Sequence, residues 1–221
     1  MERKQEDWID SIKSFLRLIQ NQKLRQHQLI QQMTKSNGFV TFIYGPMYAG
    51  KTDELIHQFN KRSALFAPEE IKVFKPMLDT RSKDIFSRSG KTLPAINVET
   101  SKEILNLIDE KTRVILIDEY QFMDKDLSMV IKELKQKQID VFVVGLDKYF
   151  DSSPIESFKE IYELSTYKIV MTSICEKCGR TAQYSQKLID GNTAPTNSDK
   201  IQVDKQDGHV EYLPVCERCY K

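Results

Sequence analysis

FVTFIYGPMYAGKT, residues 39–52, is the stretch that decides the fold. Its first part is rich in aromatic and β-branched residues, which are typical of a buried strand. Residues 45–52 match the pattern G-x-x-x-x-G-K-[ST], whose glycines let the backbone wrap around phosphate groups at the start of a helix. In this pattern the lysine reaches the β- and γ-phosphates and the final hydroxyl binds Mg²⁺. We therefore expect a nucleotide phosphate site made by Gly45, Pro46, Met47, Tyr48, Ala49, Gly50, Lys51 and Thr52.

The bulk composition restricts the function classes. The chain has 221 residues, with 33 Lys and Arg against 32 Asp and Glu, for a net charge of +1. This length suits one α/β domain with a small appendage, and the balanced charge does not favour broad binding to nucleic acid or membranes. The apolar runs are shorter than the ~20 residues that span a bilayer, and the N-terminus is too charged for a signal peptide. We predict a cytoplasmic protein that binds neither nucleic acid nor membrane.

Residues 1–37 are interpreted as a separate N-terminal helical extension. Ile9, Ile12, Leu16 and Ile19 recur at three- and four-residue steps, as on one face of an amphipathic helix. Such a helix could add contacts between subunits or bind a partner. A helix packed on its own domain, or an extension held loosely in solution, is the alternative. We favour a structural or associative role, and the hypothesis is a helix that adds contacts between subunits.

Beyond residue 38, apolar runs alternate with helical patterns, which predicts an α/β fold with a mostly parallel sheet. The polar stretch from Asp79 to Gly90 is interpreted as a mobile loop near the phosphates, although a simply solvated loop fits as well. We place a P-loop nucleotide-binding domain at 38–170 and a zinc-binding domain at 171–221. Strands are expected at 71–74, 95–98, 114–117, 141–144 and 167–174, and helices at 52–64, after a Ser101 cap, after Asp124 or Asp126, and at 154–164.

VILIDEYQF, residues 114–122, is a second nucleotide signal. Four apolar residues followed by acids place carboxylates at the carboxyl edge of the sheet, where ligands of α/β proteins bind. Asp118 would orient Mg²⁺, and Glu119 is the candidate general base for a hydroxyl or water. The alternative is an acidic strand end that only caps a turn.

The four cysteines form two C-x-x-C pairs, Cys175 with Cys178 and Cys216 with Cys219. Four thiolates complete a tetrahedral Zn²⁺ site without an open position, so the metal would be structural rather than catalytic. Unconnected thiols are the alternative. Zinc would hold both ends of the polar segment 179–215, which is interpreted as a long loop that closes over a ligand.

Five motifs together resemble the type II, zinc-containing thymidine kinases over residues 39–221. They are GPMYAGKT, the Asp-Thr-Arg tripeptide at 79–81, DEYQF at 118–122, GLDKYF at 145–150 and the two C-x-x-C pairs. The resemblance implies transfer of the γ-phosphate of ATP to the 5′-hydroxyl of thymidine or deoxyuridine in nucleoside salvage. It also implies a RecA-like P-loop domain, a zinc-bearing lasso domain, a homotetramer and feedback inhibition by thymidine triphosphate.

The same resemblance implies roles for individual residues. Arg81 would contact the transferred phosphate, with Glu119 as base, and Asp79 would join Thr52 and Asp118 in the Mg²⁺ network. The thymidine-binding residues would be Met47, Gln121, Phe122, Leu146, Phe150, Ser185 and Tyr212. Two departures from the family pattern, Pro154-Ile155-Glu156 and the large Tyr120, leave the packing around the base open.

Two other functions compete with the kinase. One is a zinc-ribbon P-loop NTPase that acts on nucleic acid, which the balanced charge and the Asp-Thr-Arg and GLDKYF motifs disfavour. The other is a non-catalytic nucleotide-binding regulator, which the intact set of Lys51, Thr52, Asp118 and Glu119 disfavours.

Overall fold

The computed structural model describes residues 38–79, 83–200 and 209–221. In chain order, its strands are β1 (Val40–Tyr44), β2 (Ile71–Pro76), β3 (Ile85–Phe86), β4 (Thr92–Leu93), β5 (Ile96–Val98), β6 (Val114–Ile117), β7 (Asp140–Gly145), β8 (Tyr167–Val170), β9 (Ser173–Ile174), β10 (Thr181–Ala182), β11 (Tyr184–Ile189), β12 (Asn192–Thr193) and β13 (Val210–Val215). Its helices are α1 (Lys51–Ser63), α2 (Ser101–Leu107), α3 (Leu127–Gln136) and α4 (Phe158–Leu164), with short 3₁₀ helices at Pro68–Glu70 and Tyr120–Phe122.

The central sheet has six strands in the order β5-β2-β6-β7-β1-β8, and every neighbouring pair is parallel. This confirms the predicted α/β fold with a mostly parallel sheet. Because the strands are parallel, the chain leaves β1, β2, β6 and β7 at the same edge. The phosphate loop and the acidic pair therefore meet although β7 lies between their strands.

Burial on both faces explains the apolar runs of the sheet. Along β6, Val114 and Leu116 pack with Leu55 of α1 on one face, while Ile115 and Ile117 pack with residues of α2, α3 and α4 on the other. All four β6 side chains are fully buried. The sheet and its helices thus hold the strand ends rigidly in place.

Some predicted boundaries differ from the structure. The N-cap of α2 is Thr100 rather than Ser101, and the Glu103 carboxylate accepts a hydrogen bond of 3.1 Å from the Thr100 amide. Helix α4 begins at Phe158, so the prediction of a helix from 154 is wrong at its start. The strand predicted at 167–174 is divided into β8 and β9, which belong to different sheets.

The polar stretch after Asp79 was predicted to be a loop, but part of it forms a hairpin. β3 and β4 pair antiparallel, with Ile85 opposite Leu93. Both side chains are buried against the α1 face of the sheet. Two well-separated apolar residues therefore anchor a segment whose composition otherwise resembles a solvated loop.

The prediction of a long loop at 179–215 is also wrong. Strands β12, β11 and β13 form an antiparallel sheet, and β9 pairs with β10. In β13, Val210 and Tyr212 are buried while Glu211 is exposed, so alternation along a short strand supplies the core that the overall composition concealed.

Several predictions remain untested. The predicted helix at 1–37 lies outside the described residues, and the division at 170/171 stays a prediction. Within 38–79, 83–200 and 209–221, no helix has the length and apolar character needed to cross a membrane.

Candidate active site

A cavity of about 890 Å³ opens at the carboxyl edge of the central sheet. The phosphate loop and the start of α1 form one end, and the acidic pair after β6 lies beside them. Side chains from the end of β7 and from β11 and β13 form the other end. The cavity thus lies between the central sheet and the antiparallel sheet of β12, β11 and β13.

The phosphate loop has the backbone that its glycines predict. A Cβ atom on Gly45 would lie 2.1 Å from the carbonyl oxygen of Met171, so only glycine fits beside this chain. Gly50 is the N-cap of α1 with a φ of 78°, a left-handed conformation that glycine adopts without strain. Lys51 donates a hydrogen bond of 2.7 Å to the carbonyl of Pro46, so its ammonium lies across the loop. Met47 to Thr52 line the cavity, whereas Gly45 and Pro46 support the loop from outside the lining.

The β3–β4 hairpin lies against the phosphate loop. Ser89 donates a hydrogen bond of 2.6 Å to the Asp53 carboxylate, and Lys91 lies 3.4 Å from the same oxygen. The Ser89 bond is the main reason that the pKa of Asp53 is lowered. The Arg88 guanidinium carbon lies 3.4 Å from the ring centroid of Tyr48 and faces the cavity. Arg88 thereby adds a cation to the phosphate end, although the sequence had assigned it only to a polar loop.

The acidic pair is positioned by a sharp turn after β6. Asp118 is buried and accepts a hydrogen bond of 3.0 Å from the Glu119 amide. Glu119 has a φ of 49°, a left-handed conformation that a residue with a Cβ adopts at a cost of about 1–2 kcal/mol. The turn directs both carboxylates into the cavity lining.

Gln121 holds the Glu119 carboxylate. Its side-chain amide nitrogen donates to Glu119, and its amide oxygen accepts a hydrogen bond of 3.2 Å from the Leu146 amide. Only 6% of the Gln121 surface is exposed. Both ends of this amide are therefore used within the protein, which favours a supporting role over the direct thymidine contact expected from the sequence.

Lys75 is a cavity residue that the sequence interpretation missed. It is 1% exposed, and its ammonium lies 3.0 Å from the carboxylate of Asp79, which is also buried. Both residues line the cavity at the end of β2. A lysine at the end of the apolar strand IKVFKP was the available signal, because a buried charge requires a partner.

The other end of the cavity is apolar. Phe150 packs with Tyr212, Val210 and Ala194, and Met47 of the phosphate loop packs against this group. Leu146, Phe122 and Ser185 complete the predicted base pocket, and Tyr149 and Lys200 also line it. The Ser185 hydroxyl accepts a hydrogen bond of 2.8 Å from the Met47 amide, which ties β11 to the phosphate loop.

Within the described part of the chain, the predicted substrate-site residues all line the cavity, apart from Gly45 and Pro46, which support the phosphate loop. Arg81 lies outside the described residues. The geometry combines an anion-binding loop, a set of carboxylates and an apolar pocket. Their arrangement suits phosphate transfer to a ligand with a flat, partly apolar group.

Sequence comparison agrees with this geometry. The thymidine kinase family model matches residues 38–220. The chain belongs to the thymidine kinase family. The thymidine kinase of Mesoplasma florum is 37% identical over 194 residues, which cover 85% of this chain and 93% of that protein. The thymidine kinase of Ureaplasma parvum is 36% identical over 198 residues, or 87% of this chain and 86% of that protein.

Comparison with solved structures gives weaker matches. The X-ray structure of the Legionella pneumophila ATPase DotB superposes with a TM-score of 0.38 and 14% sequence identity. The match covers 70% of this chain and 46% of that chain. A score this low supports no conclusion, and membership of the thymidine kinase family rests on the sequence matches.

Two features of this chain, Tyr120 and the sequence Pro154-Ile155-Glu156, depart from the pattern of the thymidine kinase family, and the fold accommodates both. The Tyr120 hydroxyl donates a hydrogen bond of 2.7 Å to the Leu146 carbonyl, and its ring lies 5.1 Å from that of Phe42. Burial raises the pKa of Tyr120, so the phenol remains a donor. Ile155 is 3% exposed and joins the core near α4. Both residues therefore support the cavity wall from behind.

The four cysteines form a second candidate site, which can hold a metal ion. Their Sγ atoms all lie within 4.8 Å of one another, and those of Cys178 and Cys216 are 3.5 Å apart. A tetrahedral Zn²⁺ with bonds of about 2.3 Å needs sulfur–sulfur separations of roughly 3.8 Å, so the group fits this ion.

The protonation of the thiols agrees with metal binding. Burial opposes ionisation of Cys175, but backbone N–H groups of Cys216 and Lys177 outweigh it and lower the pKa to about 6. A hydrogen bond with Cys178 raises the pKa of Cys219 to about 12. A metal ion binds the thiolate forms, so binding would displace the proton of Cys219.

Proposed function

We propose that this chain transfers the γ-phosphate of ATP to the 5′-hydroxyl of thymidine, and also of deoxyuridine. Membership of the thymidine kinase family makes the chain a phosphotransferase. The observation that carries the specific proposal is the single cavity, in which the phosphate loop and Glu119 lie beside the apolar pocket around Phe150. Donor phosphates and an acceptor base would therefore fit at its two ends.

The donor end neutralises the phosphates. The loop amides and the N-terminus of α1 bind anions, and Lys51 would exchange its bond to the Pro46 carbonyl for a phosphate oxygen. Arg88 adds positive charge to the cavity lining, whereas the charge of Lys75 is offset by its ion pair with Asp79. Arg81 would contact the transferred phosphate, as the family resemblance implies.

The residues at the phosphate end suit Mg²⁺, which prefers hard oxygen ligands. The Thr52 hydroxyl and the Asp118 carboxylate would hold the ion, directly or through water, and Mg²⁺ would neutralise charge on the phosphates. Asp79 would act in the same network, although its ion pair with Lys75 favours an indirect role. The cysteine group would hold structural Zn²⁺.

Glu119 would act as the general base. As the acceptor 5′-oxygen attacks the γ-phosphorus, its proton passes to the Glu119 carboxylate, the new P–O bond forms, and the bond from the γ-phosphorus to the bridging oxygen of ADP breaks. The hydrogen bond from Gln121 would hold the Glu119 carboxylate beside this hydroxyl. Because the transfer depends on positioning, Met47, which belongs to the loop and also packs near Phe150, would set the distance between donor and acceptor.

Regulation and assembly complete the proposal. Thymidine triphosphate would inhibit the enzyme, since its base and its triphosphate could occupy the two ends of one cavity.

We also propose that the chain forms a homotetramer, and the cytoplasmic location stays a prediction. Light scattering of the full chain and of a chain lacking residues 1–36 tests the assembly; unchanged tetramers would show that the extension adds no essential contact.

The test of function is ATP-dependent phosphorylation of a panel of deoxynucleosides, with DNA-stimulated ATP hydrolysis measured alongside. We expect phosphorylated thymidine and deoxyuridine, and no stimulation by DNA. Absence of any deoxynucleoside product would reject the kinase, and strong DNA stimulation would favour the nucleic-acid NTPase.

The role of Glu119 is tested by Glu119→Gln. Glutamine keeps an oxygen for the Gln121 hydrogen bond but cannot take a proton, so kcat should fall by at least ~10²-fold while ATP binding is retained. Glu133→Gln on α3, where the carboxylate lies 3.5 Å from Lys137 at the surface, is the matched control. A Glu119→Gln variant with near-normal turnover would reject the assignment.

A further inference from the structure

Tyr220 follows the fourth cysteine but contacts the wall of the base pocket. Its hydroxyl donates a hydrogen bond of 2.5 Å to the Phe150 carbonyl and accepts one of 3.0 Å from the Ser152 hydroxyl. Phe150 is 7% exposed and lines the cavity. One phenol thus joins the cysteine group to two residues of a single turn.

That turn, which we call the Phe150 turn, covers residues 149–153. It is closed by a hydrogen bond of 3.0 Å between the Tyr149 amide and the Ser153 carbonyl, and Ser152 has a left-handed φ of 64°. A residue with a Cβ pays about 1–2 kcal/mol for this conformation. External contacts offset this cost and add to the hydrogen bonds within the turn, which together keep the Phe150 ring in one position.

Tyr220 is itself held firmly. Its backbone amide donates a hydrogen bond of 3.0 Å to the Cys216 carbonyl. Its ring stacks on Tyr184 of β11, with centroids 4.7 Å apart and an interplanar angle of 20°. Ser185, the next residue of β11, accepts the hydrogen bond from the Met47 amide. The described residues of 171–221, which include the four cysteines, are called here the cysteine-bearing part of the chain. This part contacts the phosphate loop through Ser185 and the Phe150 turn through Tyr220.

A second contact holds the other side of the turn. The Lys200 ammonium lies 3.4 Å from the Asp151 carboxylate and donates a hydrogen bond of 2.8 Å to the Ser153 hydroxyl. Lys187, which is 1% exposed, places its ammonium 5.1 Å from the Phe150 ring centroid. Contacts from the cysteine-bearing part thus surround the turn, and among its described residues Tyr220 is the one that hydrogen-bonds to the Phe150 backbone.

We propose that Tyr220 is a positioning residue for the acceptor nucleoside: it fixes the Phe150 turn to the cysteine group, so that the Phe150 ring forms a rigid wall against the base. Tyr220 acts through Phe150 and contacts neither substrate. The inference deepens the proposed function and rests on it. It differs from a purely stabilising role because it concerns the acceptor end of the cavity alone.

Tyr220→Phe tests the proposal, because it removes the hydroxyl and keeps the ring that stacks on Tyr184. The substitution removes both hydrogen bonds of the hydroxyl, but the Ser152 hydroxyl is exposed and can bond to water instead. The loss therefore amounts to about one net hydrogen bond, which corresponds to a rise of about 3- to 10-fold in the KM and Kd for thymidine. The KM for ATP should stay the same and kcat should change less than twofold. Thymidine Kd is measured by calorimetry without ATP, and zinc content by mass spectrometry should equal that of the wild type.

Tyr167→Phe is the matched control. Tyr167 is on β8, where its ring lies edge-on to that of Phe39 and outside the cavity lining. Its KM values, thymidine Kd and kcat should therefore remain those of the wild type. Ser152→Ala provides a second variant that keeps the Tyr220 bond to Phe150 but loses the Ser152 donor. It should raise the thymidine Kd by a smaller factor, which keeps the proposal testable if Tyr220→Phe does not fold.

The outcomes separate this inference from the proposed function. A folded Tyr220→Phe with unchanged thymidine KM and Kd overturns the inference, as does an equal rise in the KM for ATP and thymidine. A wild-type chain that neither binds nor phosphorylates thymidine overturns the proposed function and the inference together.

Discussion

Gln121→Met should reduce turnover by loosening the candidate base. Methionine has nearly the same volume as glutamine but lacks both of its polar groups. The substitution removes the donor to Glu119 and the acceptor for the Leu146 amide, which lie on opposite ends of the same side chain. The cavity should keep its shape while Glu119 loses its support.

The structure sets the size of the effect. A hydrogen bond to a charged group contributes about 1.5–3 kcal/mol, and a neutral one about 0.5–1.5 kcal/mol. Loss of both should lower the free energy of unfolding by roughly 2–4 kcal/mol, which corresponds to a fall in Tm of roughly 4–16 °C for a chain of this size. If the bond to Glu119 is fully used in the transition state, kcat should fall about 10- to 100-fold.

The assay combines steady-state kinetics with thermal unfolding, both well below the Tm of the variant. Gln58→Met is the matched control, because Gln58 donates a hydrogen bond of 2.6 Å to Glu54 on the surface of α1, outside the cavity lining. Its kcat should remain that of the wild type. A Gln121→Met variant that is less stable but has normal kcat would refute the positioning of Glu119 by Gln121.

Three further variants test the fold and the metal site. Burial raises the pKa of Asp140 to about 6, so the folded chain keeps a proton that the unfolded chain loses above about pH 4, and stability should fall as the pH rises through this window. Asp140→Asn should lack this decline. At pH 7.5 its free energy of unfolding, measured with urea, should exceed that of the wild type by about 1–2 kcal/mol, a figure that allows for the partial exposure of Asp140. Curves of unfolding free energy against pH that run parallel for the two proteins would contradict this. Gly145→Ala places a Cβ 2.3 Å from the Gln121 amide oxygen and should cost about 1–3 kcal/mol by overpacking, with a fall in kcat; an unchanged Tm would contradict it. We expect mass spectrometry to find one zinc in the wild type and none in Cys216→Ser, which should also lose at least ~4 kcal/mol of stability; a variant that retains stoichiometric zinc would reject the four-cysteine site.

Local patterns in the sequence were sufficient for the parts of the site that depend on consecutive residues. The spacing of Gly45, Gly50 and Lys51 predicts the loop before α1, because the backbone conformation there depends on the absence of Cβ atoms. Four apolar residues followed by Asp118 and Glu119 predict a buried strand with acids at its end. The cysteine pairs predict the metal group for a similar reason, since each C-x-x-C spans a tight turn.

Contacts between distant residues could not be read in the same way. The Lys75–Asp79 pair becomes visible only when both are known to be buried, and the bond from Gln121 to the Leu146 amide depends on which strands are neighbours. The stretch 79–90, which contains the first strand of the hairpin, and the segment 179–215 were predicted as loops because few of their residues are apolar. Their pairing is determined by partners elsewhere in the chain.

By itself, the sequence therefore determined which candidate groups lie at each strand end and which four cysteines can hold a metal ion, since these depend on residues within a few positions of one another. Tertiary structure decided how the ends meet. Parallel pairing brings β1, β2, β6 and β7 to one edge, and the cysteine group places Tyr220 on the Phe150 carbonyl across 70 residues of chain. Packing of the whole sheet, rather than any local preference, creates one cavity that joins the phosphate loop to the apolar pocket around Phe150.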